Sequence, residues 1–493
     1  MSHTKLLVIG LDGATLDLVE PWAANGVLPT FSRLLQAGSH GPLRSVPNTD
    51  TAPAWATFAT GLNPANHGLF HELGWSADRR TLRPTRGADR HGQSFWRIAS
   101  DAGHRVIVIN VPSTYPAEPV NGVMLAGVDA PGTDAPGFCH PAGWSIEGYR
   151  IESEIQAAIK EDRAQDGIDD ARRVTQLRTE TLIRAMDQAP WDLAVIVYSM
   201  PDVLQHFFWR QMVDGTDPFR HAIRDGYILL DRQIERLLEH AGEDTDLIIL
   251  SDHGFGPICA TPGHLDAWLK RRGFTQMLDP RSRPWRQRLV SDAYAWLRHG
   301  LSERQKTALR RWFPGLRNRV ESDARFAGVD WSQTVAFAGP SPFEIWVNRQ
   351  GRDPQGIVTP GAEYEAVCGR LASALLEWED PGTGEKRVRA VYRRGDVYAG
   401  RYLDLAPDLT IEWNVDAAPS SDSLEGNTSR FNADHTPDGL LVAAGPGLRP
   451  GVVVQNASLQ DIAPTILELL GIPAPAKMDG RILEQLCRPA TEE

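Results

Sequence analysis

Apolar, β-branched runs recur along the chain at residues 5–10, 106–111, 193–199, 246–251 and 440–444. Such runs are apolar at successive rather than alternate positions, which predicts parallel strands buried on both faces. Between them the spacing becomes helical. Over residues 219–240, Ile223, Tyr227, Leu230, Ile234, Leu237 and Leu238 share one face. A second helix is predicted over about residues 459–470, opened by Ser458 with Asp461 three residues on and stopped by Gly471. Strands alternating with helices predict an α/β sandwich around a central, mostly parallel sheet.

The pattern changes from about residue 270 to 330, where the chain is Arg-rich and carries Trp285, Trp296 and Trp312 on predicted helices. This stretch reads as a helical lid or insertion, or as a basic face that gathers an anionic substrate or membrane surface. The run TVAFAGPSPFEIWVN then predicts returning strands. The expected organisation is a first part of the α/β core over 1–268, an Arg- and Trp-rich helical insertion over 269–330, a cap or return strands over 331–430, and the rest of the core over 431–493.

Composition narrows this picture. A chain of 493 residues, 42% hydrophobic and 23% charged, suits an ordinary globular protein of two or three units. The net charge of −12 argues against a partner such as duplex nucleic acid, yet leaves room for a small phosphorylated ligand at a locally positive site. Cys139, Cys259, Cys368 and Cys487 are scattered, with no CxxC pair to suggest a thiolate metal site or a disulfide framework. The start MSHTKLLVIGLDG reads as a core strand rather than a signal peptide, and no apolar run reaches the roughly 18 residues of a membrane span. The expectation is a cytoplasmic enzyme, of undetermined oligomeric state.

Ligands in open α/β sheets bind beyond the carboxyl ends of the strands. There the chain places Asp12 after VIGL, Asp202 and His206 in PDVLQH, Asp252 and His253 in LIILSDHGFG, and His435 in FNADHTPDG. Each alone has an ordinary explanation, as a cap, a turn residue or a surface pair. Together they are three carboxylates and three imidazoles, the donor set that Zn²⁺ accepts. In NTDTAPAWATFATG, Thr51 stands at or near a predicted helix N-terminus. That position suits capping, and equally suits phosphate binding by free N–H groups. A threonine hydroxyl needs activation to act as a nucleophile, and metal coordination provides it. Gly10 and Gly13 do not make a GxGxxG dinucleotide fingerprint.

The segments VIGLDG, TAPAWATFATGLNPANHG, PDVLQH, SDHGFGP and DHTPDG, with the closing stretch DIAPTILELLGIPAPAKMDGRIL, resemble the alkaline phosphatase superfamily. Within it they resemble most the type I phosphodiesterase and nucleotide pyrophosphatase branch. The resemblance implies an alkaline-phosphatase-like three-layer sandwich with an inserted helical lid or cap. It also implies two divalent metal ions, Zn²⁺ in the first place, with Mn²⁺ or Fe²⁺ compatible with the same ligands. Asp202, His206 and His435 would hold one ion; Asp12, Asp252, His253 and the Thr51 oxygen would hold the other. Thr51 would attack phosphorus and form a phosphothreonine intermediate.

The chain departs from that branch where an Asn usually contacts a phosphoryl oxygen, since HGLFHELGW offers His71 and Glu72 instead. A phosphomonoesterase, a phosphonate hydrolase and a non-catalytic protein that binds a phosphorylated ligand are the competing readings. Sulfatases need a modified Cys or Ser, and metal-dependent mutases use a serine and a larger inserted domain; neither is evident here.

Overall fold

Nine strands form the main sheet in the order Ala457–Ser458, Ser39–Arg44, Asp438–Ala444, Thr245–Leu250, Lys5–Leu11, Leu193–Tyr198, Val106–Val111, Gly122–Ala126 and Cys139–His140. This computed structural model describes residues 5–76, 79, 81–215, 218–260, 262–279, 326, 328–417 and 431–488. The five strands from Thr245–Leu250 to Gly122–Ala126 run parallel. The Asp438–Ala444 strand was expected to be parallel, but pairs antiparallel with both neighbours. Its apolar run answers burial on both faces, which either direction provides.

Successive residues of the first strand face opposite layers. Leu7, Ile9 and Leu11 pack with the helices Ala164–Gln188, Met200–Asp214 and Ala222–Ala241. Leu6 and Val8 pack with the helices Thr51–Thr60, Phe95–Asp101 and Ile462–Leu469. Two cores on the two faces of one sheet make the three-layer sandwich. The predicted closing helix begins as a single 3₁₀ turn, Leu459–Asp461, in which Ser458 N–H donates to Asp461 at 2.9 Å.

A smaller antiparallel sheet, ordered Ala336–Ala338, Glu344–Val347, Leu409–Trp413 and Val388–Arg393, has its own core. The helices Ala362–Leu376 and Pro262–Arg271 contribute to it through Leu371, Leu375, Leu265 and Trp268. Most of the expected 269–330 insertion, including Trp285, Trp296 and Trp312, lies outside the described residues. Among the described residues no helix is long and apolar enough to cross a membrane.

The two layers meet closely at Gly10. A Cβ there would stand 2.4 Å from the Trp55 ring and 2.9 Å from Val197. Trp55 lies on the Thr51–Thr60 helix, so the missing side chain lets that helix seat against the first strand. Gly10→Ala is therefore expected to destabilise the protein by about 1–3 kcal/mol through overpacking, read from chemical unfolding midpoints. An unchanged midpoint would show that Trp55 has room to move.

Candidate functional site

The carboxyl ends of the central strands deliver the expected residues to one place. Asp12 directly follows the first strand, and its N–H donates to Tyr198 O at 3.0 Å while its carbonyl receives Asp202 N–H at 3.0 Å. Gly13, at φ 68°, makes the turn that follows and donates its N–H to Asp252 Oδ1 at 3.1 Å. Asp202 lies in the first turn of the Met200–Asp214 helix, and His206 one turn later comes within 3.3 Å of it. Asp252 and His253 follow the Thr245–Leu250 strand. His435 arrives on a short strand, Ala433–Thr436, paired antiparallel with Gly254–Pro257. Thr51 is the first residue of its helix, with Asp50 as the N-cap.

The three imidazoles are held in the same way. Each Nδ1 lies against a backbone carbonyl: His206 on Ala433 O at 3.1 Å, His253 on Gly254 O at 3.0 Å, and His435 on Thr49 O at 2.7 Å. Carbonyls only accept, so each Nδ1 carries its proton and each Nε2 turns inward. Thr49 presents its carbonyl from φ 50°, a strained setting for a β-branched residue. His253 and His435 stack with ring centroids 3.6 Å apart, and Phe431 stacks on His206 at 4.4 Å.

The inward atoms meet carboxylates. His206 Nε2 and His435 Nε2 are each 3.3 Å from Asp202 Oδ1 and 3.2 Å from one another. His253 Nε2 is 3.3 Å from Asp252 Oδ2, 3.6 Å from Asp12 Oδ1 and 3.4 Å from Thr51 Oγ1. Asp202, His206 and His435 bring their donor atoms within 4.8 Å of one another, as do Asp12, Asp202 and His253. Asp202 thus borders both groups.

Burial and crowding shift the titratable groups at this place. Burial, followed by Asp252 and Asp202, holds the Asp12 carboxyl well above its ordinary range. Burial also pushes Asp252 up to about 7. Burial opposes the charge on Asp202 too, but His206 and His435 overcome it and hold that carboxyl low. His435 resists its own burial through Asp202 and rises to about 10, whereas burial beside His435 drives His253 well down. Asp12 Oδ1, Asp202 Oδ1 and Asp252 Oδ2 are buried and lack an ordinary hydrogen-bond donor among the described residues. Oxygen and imidazole-nitrogen donors this close, with second-atom anchors already in place, fit divalent metal ions.

His71 and Glu72 flank the centre differently. His71 Nδ1 accepts Leu73 N–H at 2.9 Å, and Nε2 lies 2.8 Å from Asp50 Oδ2. Both ring nitrogens are thereby engaged by protein, so His71 braces Asp50 at the helix start. Glu72 interacts electrostatically with Asp50, His71, His435 and Asp202, and desolvation followed by Asp50 raises its pKa to about 7.

A family model described as type I phosphodiesterase / nucleotide pyrophosphatase matches residues 6–438. The chain belongs to this family. Its members are phosphoester hydrolases, and this chain carries the possible metal-binding Asp and His groups described above. No curated protein sequence matches it. Among solved structures, murine ectonucleotide pyrophosphatase/phosphodiesterase 5 aligns with a TM-score of 0.53 at 14% identity, covering 98% of this chain and 100% of its own. The human counterpart aligns at 0.52 and 15%, covering 98% and 99%. An inactive threonine-to-alanine variant of the murine protein, in complex with AMP, aligns at 0.51 and 14%, covering 96% of each chain. These likenesses establish the alkaline-phosphatase-like fold.

Several supporting residues carry no sequence signal of their own. Trp55 Nε1 donates to Asp12 Oδ2 at 3.3 Å, tying the Thr51 helix to the first strand. His67 is fully buried, accepts Leu69 N–H on Nδ1 at 3.2 Å and meets Thr57 Oγ1 with Nε2 at 2.9 Å. Burial, and then Arg90, lower its pKa from 6.5 to about 3. Above pH 6.5 both folded and unfolded forms are neutral at this position. As pH falls from 6.5 toward 3, the unfolded chain gains a proton that the folded protein refuses, so stability is lost in that window. Replacing His67 by Gln is expected to flatten the pH dependence of unfolding free energy between pH 4 and 6 by up to about 1.4 kcal/mol per pH unit. An identical slope in the two proteins would remove His67 as a source of acid sensitivity.

Proposed function

We propose that the protein hydrolyses a phosphodiester or phosphoric anhydride of a small phosphorylated substrate, such as a nucleotide derivative, with Thr51 as the nucleophile. The observation that carries this reading is the convergence of three anchored imidazoles, the buried Asp12 and Asp252, the partly buried Asp202 and the Thr51 hydroxyl at one end of the sheet. Asp202, His206 and His435 would hold one divalent cation; Asp12, Asp252, His253 and Thr51 Oγ1 would hold a second. Two bound ions, Zn²⁺ in the first place, would neutralise the carboxylates and lower the pKa of the hydroxyl and of a water.

Thr51 starts its helix, where free N–H groups and the positive end of the dipole favour an anion. Its Oγ1–P bond forms as the bond from phosphorus to the leaving oxygen breaks. Water then cleaves the phosphothreonine, restoring the hydroxyl and releasing the phosphorylated product. The inactive threonine-to-alanine variant among the structural neighbours, bound to AMP, supports both a threonine nucleophile and a nucleotide-sized ligand. Glu72 lies in electrostatic reach of His435 and Asp202; desolvation followed by Asp50 raises its pKa to about 7, and its charged form, populated above that pH, would favour a singly charged diester over a doubly charged monoester. The larger sheet would thus form the catalytic core, with the smaller sheet as its cap, in a protein expected in the cytoplasm.

Thr51→Ala should lower turnover of a 4-nitrophenyl phosphodiester by about 10³-fold or more while metal content stays at the wild-type level. Full activity in that variant would remove Thr51 from the chemistry. His435→Ala should release metal selectively, measured by elemental analysis after dialysis; unaltered metal content would show that His435 is not a ligand. Metal-stripped protein should regain diesterase activity on adding Zn²⁺. A preference for the matched monoester or phosphonate would move the assignment to those activities.

A further inference from the structure

A cleft of about 400 Å³ opens between the segment after the Thr51 helix and the smaller sheet. It begins at His71, which is hydrogen-bonded to the residue preceding Thr51, and its walls include Trp75, Trp346 and Tyr402. A volume of this order suits a small organic group. Arg79 also lines it, and the side chain of Arg79 is only 9% exposed.

The surroundings of Arg79 are short of acceptors. Its Nε bonds Asp353 at 3.0 Å, but Nη1 and Nη2 are buried without a hydrogen-bond partner among the described residues. The guanidinium lies 5.3 Å from the Trp75 ring centre and 4.6 Å from that of Trp346, whose indole N–H groups likewise find no acceptor. Arg79 is joined to a network in which Arg349, Arg352 and Arg394 pair with Asp353, Asp404 and Asp408. Among the described residues the network has four arginines and three aspartates, one positive charge more than its acids balance. Buried donors in this state cost stability unless something supplies acceptors. The cleft also holds two acids: Asp89, which Arg83 holds in two hydrogen bonds of 2.8 and 2.7 Å, and the buried Glu344 beside Trp346 on the smaller sheet.

We propose that this cleft receives the arm of the substrate that lies beyond the scissile phosphorus, and that Arg79 binds an oxyanion at the end of that arm. The substrate class is then a phosphodiester or anhydride with a second anionic group, separated from the first by a flat or apolar portion that lies along the aromatic walls. A carboxylate and a phosphate share the required chemistry, since both offer the paired oxygens that a guanidinium fork accepts. This assignment rests on the phosphodiesterase reading above, but concerns binding rather than the chemical step.

The test uses metal-loaded Thr51→Ala protein and three 4-nitrophenyl phosphodiesters. Their second arms are phenethyl, phenethyl bearing a para-carboxylate, and phenethyl bearing a para-phosphate. Calorimetric titration should show at least one charged arm binding about tenfold tighter than the neutral arm or better, as a charged hydrogen bond predicts. The stronger of the two identifies the terminal group. Adding Arg79→Gln should remove most of that ratio, and Arg79→Lys should retain part of it. Equal affinity for neutral and charged arms, or a ratio untouched by Arg79→Gln, overturns the proposal. If the Gln variant is unfolded by circular dichroism, an undiminished ratio in the Lys variant counts equally against the guanidinium. Turnover of the neutral probe by wild-type protein is measured alongside. Its absence would refute the diesterase reading, while the binding ratio judges the cleft independently.

Discussion

The concentration of like charge at the ends of the central strands governs the rest of this structure. Asp12, Asp202 and Asp252 are brought together by three different strand ends, the first and last buried and Asp202 partly so, where water screens them poorly. Such an arrangement persists only with positive charge between the carboxylates. Imidazoles provide part of it, but a freely rotating imidazole would turn away or pair with the nearest acid in the wrong tautomer. The three backbone carbonyls of Thr49, Gly254 and Ala433 prevent this by taking each Nδ1 proton. The unusual backbone setting of Thr49 then has a clear role, since it aims one of those carbonyls.

The same demand explains why the Thr51 helix is fastened at several points. Trp55 reaches Asp12 across the space left by Gly10, Asp50 is braced by His71, and Thr57 is tied to the buried His67. If the Thr51 hydroxyl attacks phosphorus, as proposed, it would tolerate little displacement, on the order of 1 Å. A helix held only by its apolar face could slide by that amount. Polar ties to the neighbouring strand and loop make the position specific, at the cost of acid sensitivity in the buried imidazole.

Much of this was legible in the sequence wherever burial and chemistry share a local signal. Apolar runs marked five of the nine strands, and the residues at their ends proved to be spatial neighbours. Strand direction was not legible, because the run at residues 440–444 looks the same in either pairing. The helix Ala164–Gln188 was also missed as an element. Its buried face carries Thr175, Arg178, Thr179 and Thr181 among the apolar residues, which dilutes the helical period. His71 meets Asp50, and Glu72 comes within electrostatic reach of His435 and Asp202. The role of His71 could not be read, however, because its partners Asp50 and Leu73 N–H meet it only in three dimensions.

Net charge shows how little composition alone decides here. At −12 the chain disfavours a large polyanion but leaves room for a small phosphorylated ligand. Salt confines the influence of exposed charges to about 8 Å, so distant acids matter little inside a cleft. What a bound phosphoester senses is the local balance: cations required by Asp12, Asp202 and Asp252 at one end, and the arginine network of the smaller sheet at the other. Under the proposed reading Glu72, whose pKa desolvation and Asp50 raise to about 7, would in its charged form burden a doubly charged monoester more than a singly charged diester, and Asp89 and Glu344 are further acids along the cleft. Under the same reading, the centre on the large sheet would perform phosphoryl transfer, while residues of the smaller sheet and the loop facing it would select the molecule that carries the phosphorus.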